Sequence, residues 1–269
     1  IDFMDSYIIE WLNLVVRWIH VITGIAWIGA SFFFNWLDSQ LTPPENPDKK
    51  VEGELWMIHS GGFYQMEKTL ISPSEMPKVL HWFKWEAYST WISGIFLLGI
   101  VYYTGSGVYL IDSQIADLSY GMAVSISMGS ILVAWLIYDF LWASSLGKRG
   151  WLPIIISLVL LIGIIWWFHQ WFGSRAAYIH VGAVMGTFMV GNVWRRIIPS
   201  QTKLVEAVKA GKAPEASLGI KAKQRSIHNN YMTLPVVFIM ISNHFPNTFA
   251  HQMNWMILIA IIVIGAIVR

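Results

Sequence analysis

The fold class follows from residues 151–172, which have the sequence WLPIIISLVLLIGIIWWFHQWF. This run contains no Asp, Glu, Lys or Arg, and it is long enough to cross a bilayer core, which requires about 20 apolar residues in a helix. Comparable apolar runs recur along the chain, about seven in all, at 8–34, 81–103, 120–142, 151–172, 176–198, 229–244 and 252–269. The sequence therefore predicts an all-α, polytopic bundle of membrane-spanning helices.

The composition favours the same class. Of the 269 residues, 55% are hydrophobic and only 13% are charged, and the mean hydropathy is +0.52. A soluble domain of this length has too little interior to bury that much apolar surface. Because the chain has no cysteine, disulfides, thiolate metal sites, iron–sulfur clusters and covalently attached haem are excluded within this stretch.

Loop charges orient the predicted bundle. The segment at about 195–227 carries eight basic residues against two acidic ones, so the positive-inside rule places this basic loop in the cytoplasm. Counting spans back from it puts the N-terminus outside. The segment at about 35–80 is then a cytoplasmic insertion within a single membrane domain that covers 1–269. Its stretch 54–64 is too short to span and predicts a helix lying in the interface or folded back against the bundle.

Histidines within the predicted spans indicate function, because ionisable groups are costly there. His20 lies near the middle of the first span with Gly24 one turn on, and His180 lies on a stripe of small residues in the fifth. Imidazoles beside small residues suit a flat macrocycle, so we expect His20 and His180 to ligate the iron of one b-type haem, with His244 as a substitute ligand. The alternative is that the small residues serve helix packing and each histidine bonds a neighbouring carbonyl.

A second set of polar residues gathers towards the cytoplasmic side. Lys84 and Glu86 lie in the first turn of the second span. The other members begin the sixth span or lie in the cytoplasmic segments: His228, Asn229, Asn230, Tyr231, Arg195 and His59. Carboxylate and imidazole groups transfer protons, amides donate and accept hydrogen bonds, and cations neutralise anions. The set predicts either a polar pocket that opens to the cytoplasm or ordinary polar residues at helix ends.

Several stretches resemble one protein family, the membrane domain of the bacterial cytochrome c-linked urate oxidases. They run in order along essentially the whole chain: WIHVITGIAWIG at 18–29, ELWMIH at 54–59, LHWFKWE at 80–86, RAAYIHVG at 175–182, QRSIHNNYMTLP at 224–235 and SNH at 242–244. The first stretch is also similar to the haem-binding first helix of membrane protoporphyrinogen oxidases.

The resemblance implies that urate is hydroxylated to 5-hydroxyisourate, with water as the oxygen source. It also implies that electrons pass through b-type haem to a cytochrome c rather than to oxygen, in a multi-pass protein of the bacterial inner membrane. On this interpretation Glu86 transfers protons together with His228 or His59. Urate is then held and its charge balanced by Asn229, Asn230, Tyr231, Lys84 and Arg195.

A C-terminal cytochrome c domain would carry a C-x-x-C-H motif, which this sequence lacks. We expect that domain beyond Arg269, after an eighth span, or on a separate partner protein. Two other functions stay open: a b-type cytochrome module that exchanges electrons with quinol or a respiratory partner, and a transporter or metal-handling protein. The basic segment lacks interleaved aromatic residues, so nucleic acid is not an expected partner.

Overall fold

The computed structural model describes residues 3–45, 51–69 and 76–269 and is mostly helical. Helix α1 covers Phe3–Gln40, and two strands follow it, β1 (Val51–His59) and β2 (Gly62–Thr69). The helices after the strands are α2 (Trp85–Leu98), α3 (Tyr120–Ala143), α4 (Leu152–Trp171), α5 (Ser174–Asn192), α6 (Ile198–Lys209), α7 (Ala216–Ser242), α8 (Pro246–Phe249) and α9 (Asn254–Val268). π-Helical turns extend α2 through Gly99–Tyr103 and join α5 to α6 through Val193–Ile197.

Four helices of the described residues are long and apolar enough to cross a membrane: Ser6–Gln40, Tyr120–Ala143, Leu152–Trp171 and the continuous helix Ser174–Lys209. The predicted class, a helical bundle with several candidate spans, is thereby confirmed. Helix α9 is also apolar but has only 15 residues, fewer than the ~20 of a full span. The count of seven spans and the outside position of the N-terminus stay predictions.

The described part of the insertion predicted at about 35–80 contains a β-hairpin, so the helix predicted for 54–64 is wrong. β1 and β2 pair antiparallel, and the turn between them places Ser60 and Gly61 at positive φ. Large side chains such as Trp56 and Ile58 alternate with their neighbours across the two faces, a period typical of a strand. The prediction of a helix rested on the length of the stretch 54–64 and ignored this alternation of side chains. The fold of the described residues is therefore all-α except for this hairpin.

The basic segment predicted as a loop at about 195–227 is largely helical. It contains α6 and the first half of α7, with the short connection 210–215 between them. The predicted sixth span, 229–244, corresponds to the second half of α7, a helix of 27 residues that is not among the four helices apolar enough to cross a membrane. Pro235 in α7 lies against Gly265 of α9, where an added β-carbon would be 3.0 Å from the proline Cδ.

Helix α5 lies at the centre of the bundle, and most of its side chains are buried. It packs against α3, α4 and α7. A β-carbon added at Gly182 would lie 2.8 Å from Cγ2 of Ile239 on α7, and one added at Gly191 would overlap the indole of Trp135 on α3. Glycine at these two positions lets the helix backbones approach closely, as small residues do in membrane bundles.

Helix α1 lies at the edge and packs chiefly along α2. Its outer side chains, among them Trp11, Trp18 and Ile25, are exposed in the described chain. Apolar side chains exposed along a candidate span suit contact with lipid. The α1–α2 pair thus packs on one side of the central helices. The candidate site lies where the C-terminal end of α1 meets the start of α2.

Substituting Gly182 with Ala should lower the stability of the detergent-solubilised protein by about 1–3 kcal/mol, because the new methyl group overpacks the contact with Ile239. Gly186 lies one turn further along α5 with no atom within 4 Å of its built β-carbon, so Gly186→Ala is the matched control. We expect the control to be unchanged or more stable by up to about 1 kcal/mol, from helix propensity. Equal thermal unfolding midpoints for the two variants would contradict the close contact.

Candidate functional site

A cavity of about 520 Å³ lies where the C-terminal end of α1 meets the start of α2, the π-helical turn after α5, helix α6 and the middle of α7. Its volume is within the range of about 300–1,000 Å³ that is usual for small-molecule sites. Polar groups and aromatic rings share its walls: Ser31, Asn35, Asp38, His81, Glu86, Gln201, Ser226, Asn229 and Asn230, with Trp27, Phe34, Trp82 and Phe83. Glu86, Asn229 and Asn230, which were predicted to share a pocket, therefore line one cavity.

Glu86 presents a carboxylate to this cavity from the first turn of α2. The positive end of the helix dipole favours an acidic side chain at that position. The Nε2 atom of His81 lies 3.8 Å from Oε1 of Glu86, and the His81 side chain is 69% exposed. Oε2 of Glu86 is buried and has no hydrogen-bond partner among the described residues. Since an unpaired buried polar atom costs free energy, this oxygen is available to accept a hydrogen bond or a proton.

Asn230 and Asn35 meet across the cavity wall. The Nδ2 atom of Asn230 on α7 donates a hydrogen bond of 3.0 Å to Oδ1 of Asn35 on α1. Nδ2 of Asn35 is buried and has no acceptor among the residues that the structure describes. One turn further along α1, Asp38 forms an ion pair of 3.1 Å with Lys68 on strand β2, so the hairpin neutralises an acidic group at the cavity wall.

Asn229 is held by the protein itself. Its Nδ2 atom donates to the carbonyl oxygen of Met189 at 3.0 Å, and its Oδ1 atom accepts a hydrogen bond of 2.8 Å from Nδ2 of Asn192. Nδ2 of Asn192 also donates to the hydroxyl of Tyr138 at 2.9 Å. Asn229 lines the cavity with an amide that donates one hydrogen bond to α5 and accepts one from it, so it joins α5 and α7 at the cavity wall.

A partly buried ionic cluster lies behind Asn229. Arg196 donates two hydrogen bonds to the carboxylate of Asp139, at 2.8 and 2.5 Å, and Arg225 lies 3.4 Å from the same carboxylate. Arg225 is 3% exposed and lies over the ring of Tyr138, 5.2 Å from its centroid. Two guanidinium groups therefore share one carboxylate, and the cluster carries one net positive charge. Arg225 joins the cluster to the cavity wall by donating to Oδ1 of Asn192 at 3.3 Å.

Several predicted site residues lie elsewhere. His228 faces α3, with Nδ1 2.8 Å from the hydroxyl of Tyr138 and its ring packed against Trp142. His59 is exposed at the turn of the hairpin, five residues and so roughly 16 Å along the strand from Glu54, where the hairpin joins the end of α1. Three more predicted residues are not among those that line the cavity: the N-cap residue Lys84 and the exposed Arg195 and Tyr231.

Of the predicted haem ligands, His180 has both of its ring nitrogens engaged. His180 is 0% exposed, its Nδ1 lies 2.7 Å from the carbonyl oxygen of Ala176, and its Nε2 lies 2.6 Å from Oγ of Ser127. Axial ligation needs a free nitrogen lone pair, so His180 could bind iron only if the Ser127 bond broke. Nδ1 of His20 lies 2.9 Å from the carbonyl oxygen of Thr90 on α2, and His244 is exposed just beyond α7.

The aromatic rings of Tyr102, Phe168 and Phe172 also pack around the imidazole of His180. No group of three His, Asp or Glu side chains converges to hold a metal ion in the described residues. The contacts of His180 count against it as a ligand, whereas His20 bonds only through Nδ1 among the described residues, as ligating histidines usually do, and the ligand assignment stays a prediction.

Sequence reasoning missed Asn35 and the cluster of Asp139, Arg196 and Arg225. Asp139 lies inside a predicted span, and the cost of an ionisable group there was a sufficient signal to select it. Arg196 was indistinguishable from its neighbour Arg195 without the π-helical turn that contains both residues and alters the helical phase. Asn35 lies just beyond the predicted first span and became significant only when α1 proved to extend to Gln40.

No curated protein and no solved structure matches this chain. A family model described as urate oxidase N-terminal matches residues 6–269, which is nearly the whole chain. The family resemblance predicted from the sequence is therefore confirmed. The chain belongs to the urate oxidase N-terminal family, and this membership supports an oxidoreductase that acts on urate.

Proposed function

We propose that this chain oxidises urate to 5-hydroxyisourate in the cavity between α1, α2, α6 and α7. Urate and one water molecule yield 5-hydroxyisourate, two protons and two electrons. The water oxygen forms a bond to C5 of the purine, one proton leaves the water and the other leaves a purine N–H group. Family membership supports the substrate, and the unpartnered Oε2 atom of Glu86 in the cavity is the observation that carries the assignment of the site.

The cavity suits a planar anion for two reasons. Aromatic rings from α1 and from the start of α2, including Trp27 and Trp82, offer faces on which a flat heterocycle can pack. The net positive charge of the cluster of Asp139, Arg196 and Arg225 lies behind the amide of Asn229 and favours a negatively charged ligand. The pairing of Lys68 with Asp38 lowers the repulsion from the acidic wall.

Glu86 is the proton acceptor in this proposal. Its unpaired oxygen is buried, but Glu86 lines the cavity, so a rotation of the side chain would present this oxygen to a bound purine N–H or an attacking water. His81 lies 3.8 Å from the other carboxylate oxygen and is largely exposed, so a small movement of the imidazole allows it to pass the proton to solvent. His228 bonds Tyr138 and has no part in this step.

The two electrons require an acceptor. We propose two molecules of ferricytochrome c, each reduced by one electron, on a domain beyond residue 269 or on a separate protein. The protein would lie in the bacterial inner membrane with the cavity on the cytoplasmic side, since basic residues concentrate in the helices and connections that surround it. The proposed electron transfer does not require His20 or His180.

The decisive experiment is anaerobic incubation of the detergent-purified full chain with urate, ferricytochrome c and water labelled with ¹⁸O. We expect the loss of urate absorbance to accompany reduction of about two cytochrome molecules per urate, as the electron balance requires, and one labelled oxygen to appear in the product. Oxygen-dependent turnover with hydrogen peroxide release would contradict the proposed acceptor. Failure to consume urate with cytochrome c, with a small-molecule electron acceptor or with oxygen would contradict the substrate.

Replacing Glu86 with Gln keeps the size of the side chain and removes its basicity. We expect kcat to fall by about 100-fold or more, the usual contribution of general acid–base catalysis, while urate still binds. Glu206→Gln is the matched control, because Glu206 is exposed on α6 and does not line the cavity. A Glu86→Gln protein with kcat near that of the control would remove Glu86 from the proton-transfer step.

A further inference from the structure

Two residues that line the cavity, Glu86 and Asn35, each carry an unsatisfied polar atom, and the two atoms are of opposite character. Oε2 of Glu86 on α2 is an acceptor without a donor, and Nδ2 of Asn35 on α1 is a donor without an acceptor, in the described part of the chain. Both atoms are buried, and both residues line the same cavity. Protein interiors rarely leave such atoms unpaired, so an unpaired acceptor and an unpaired donor on residues of one cavity indicate a ligand that carries a complementary donor and acceptor.

The orientation of the Asn35 amide is set by the hydrogen-bond network. Asn230 offers its Nδ2 hydrogen to Asn35, and only the carbonyl oxygen Oδ1 of Asn35 can accept it. The amide group of Asn35 consequently directs its NH₂ away from Asn230. An ionised Glu86 carboxylate can only accept hydrogen bonds, because it carries no hydrogen to donate.

We propose that Asn35 and Glu86 together recognise a lactam edge of the substrate, which is an N–H group next to a C=O group. The Glu86 carboxylate accepts the hydrogen bond from the ring N–H, and the Asn35 amide donates to the adjacent carbonyl oxygen. This inference rests on the proposed function and extends it, since it assigns a specificity role to Asn35. A purine with oxo groups carries lactam edges on both of its rings.

Recognition of a lactam edge by Asn35 and Glu86 depends on the packing contact between α1 and α2. Helix α1 packs chiefly on α2, and Gly94 of α2 allows the close contact, since an added β-carbon would lie 3.0 Å from the His20 ring. Asn230 of α7 links Asn35 to the central helices as well. The donor and the acceptor therefore stand on two helices whose relative position is set along their length, which provides the preorganisation that selective hydrogen bonding needs.

The test is the binding of urate and its four mono-N-methyl derivatives to the full chain without an electron acceptor, by titration calorimetry, together with steady-state kinetics. Asn35→Leu should raise the Kd and the KM for urate by about tenfold or more and change kcat by less than about threefold, because it removes one hydrogen bond to a charged ligand. Ser39→Ala is the control, because Ser39 lies one turn later on α1, is exposed and does not line the cavity, and it should change neither constant by more than about twofold.

The methylated substrates test the same idea without any variant. Wild-type protein should lose about tenfold or more in affinity for at least one N-methylurate, because methylation removes the N–H that Glu86 accepts. Five equal dissociation constants would overturn the inference, as would an Asn35→Leu protein that binds urate like wild type or loses only kcat. In those cases urate oxidation by the wild type keeps the proposed function intact, whereas a wild type that neither binds nor oxidises urate overturns both.

Discussion

The structure depends on how polar atoms are satisfied within an apolar bundle. Outside water, each unpaired donor or acceptor costs free energy, so the polar side chains that the helices bring inside must find partners in one another. Asn192 shows the constraint at its fullest: its amide donates to Tyr138 and Asn229 and accepts from Arg225. The same constraint makes the two unpaired atoms of the cavity informative.

Close helix packing determines where this polar network forms. Glycines of α5 bring α3 and α7 within contact distance, so that Tyr138, Asn192 and Asn229 meet in a single interior layer. The π-helical turn after α5 then directs Arg196 to the Asp139 carboxylate. Irregular turns of this kind are frequent at functional sites, and this one also forms part of the cavity wall.

The cavity combines elements from distant parts of the chain with distinct physical roles. Helices α1 and α2 supply the unpaired donor and acceptor, α5 and α7 supply a fixed amide backed by positive charge, and the hairpin supplies the lysine that neutralises Asp38. A chemical step that develops charge on a purine benefits from such fixed groups, because they need no reorganisation when the charge appears.

The sequence by itself determined the helical class, the presence of candidate membrane spans and the family. Apolar length, charge distribution and motif order are local properties, and no packing information is needed to recognise them. The hairpin is an exception. Its alternating side chains are also a local property, but the prediction of a helix rested on the length of the stretch instead.

Only the tertiary structure decided which polar side-chain atoms have hydrogen-bond partners. Asn229 and Asn230 are adjacent in sequence, yet a rotation of about 100° per helical residue directs one amide into the network with Asn192 and the other towards Asn35. The same holds for His180, whose two nitrogens are occupied by Ala176 and Ser127. Partnership between residues far apart in the chain depends on helix packing and phase, and these are set by the whole bundle rather than by any one segment.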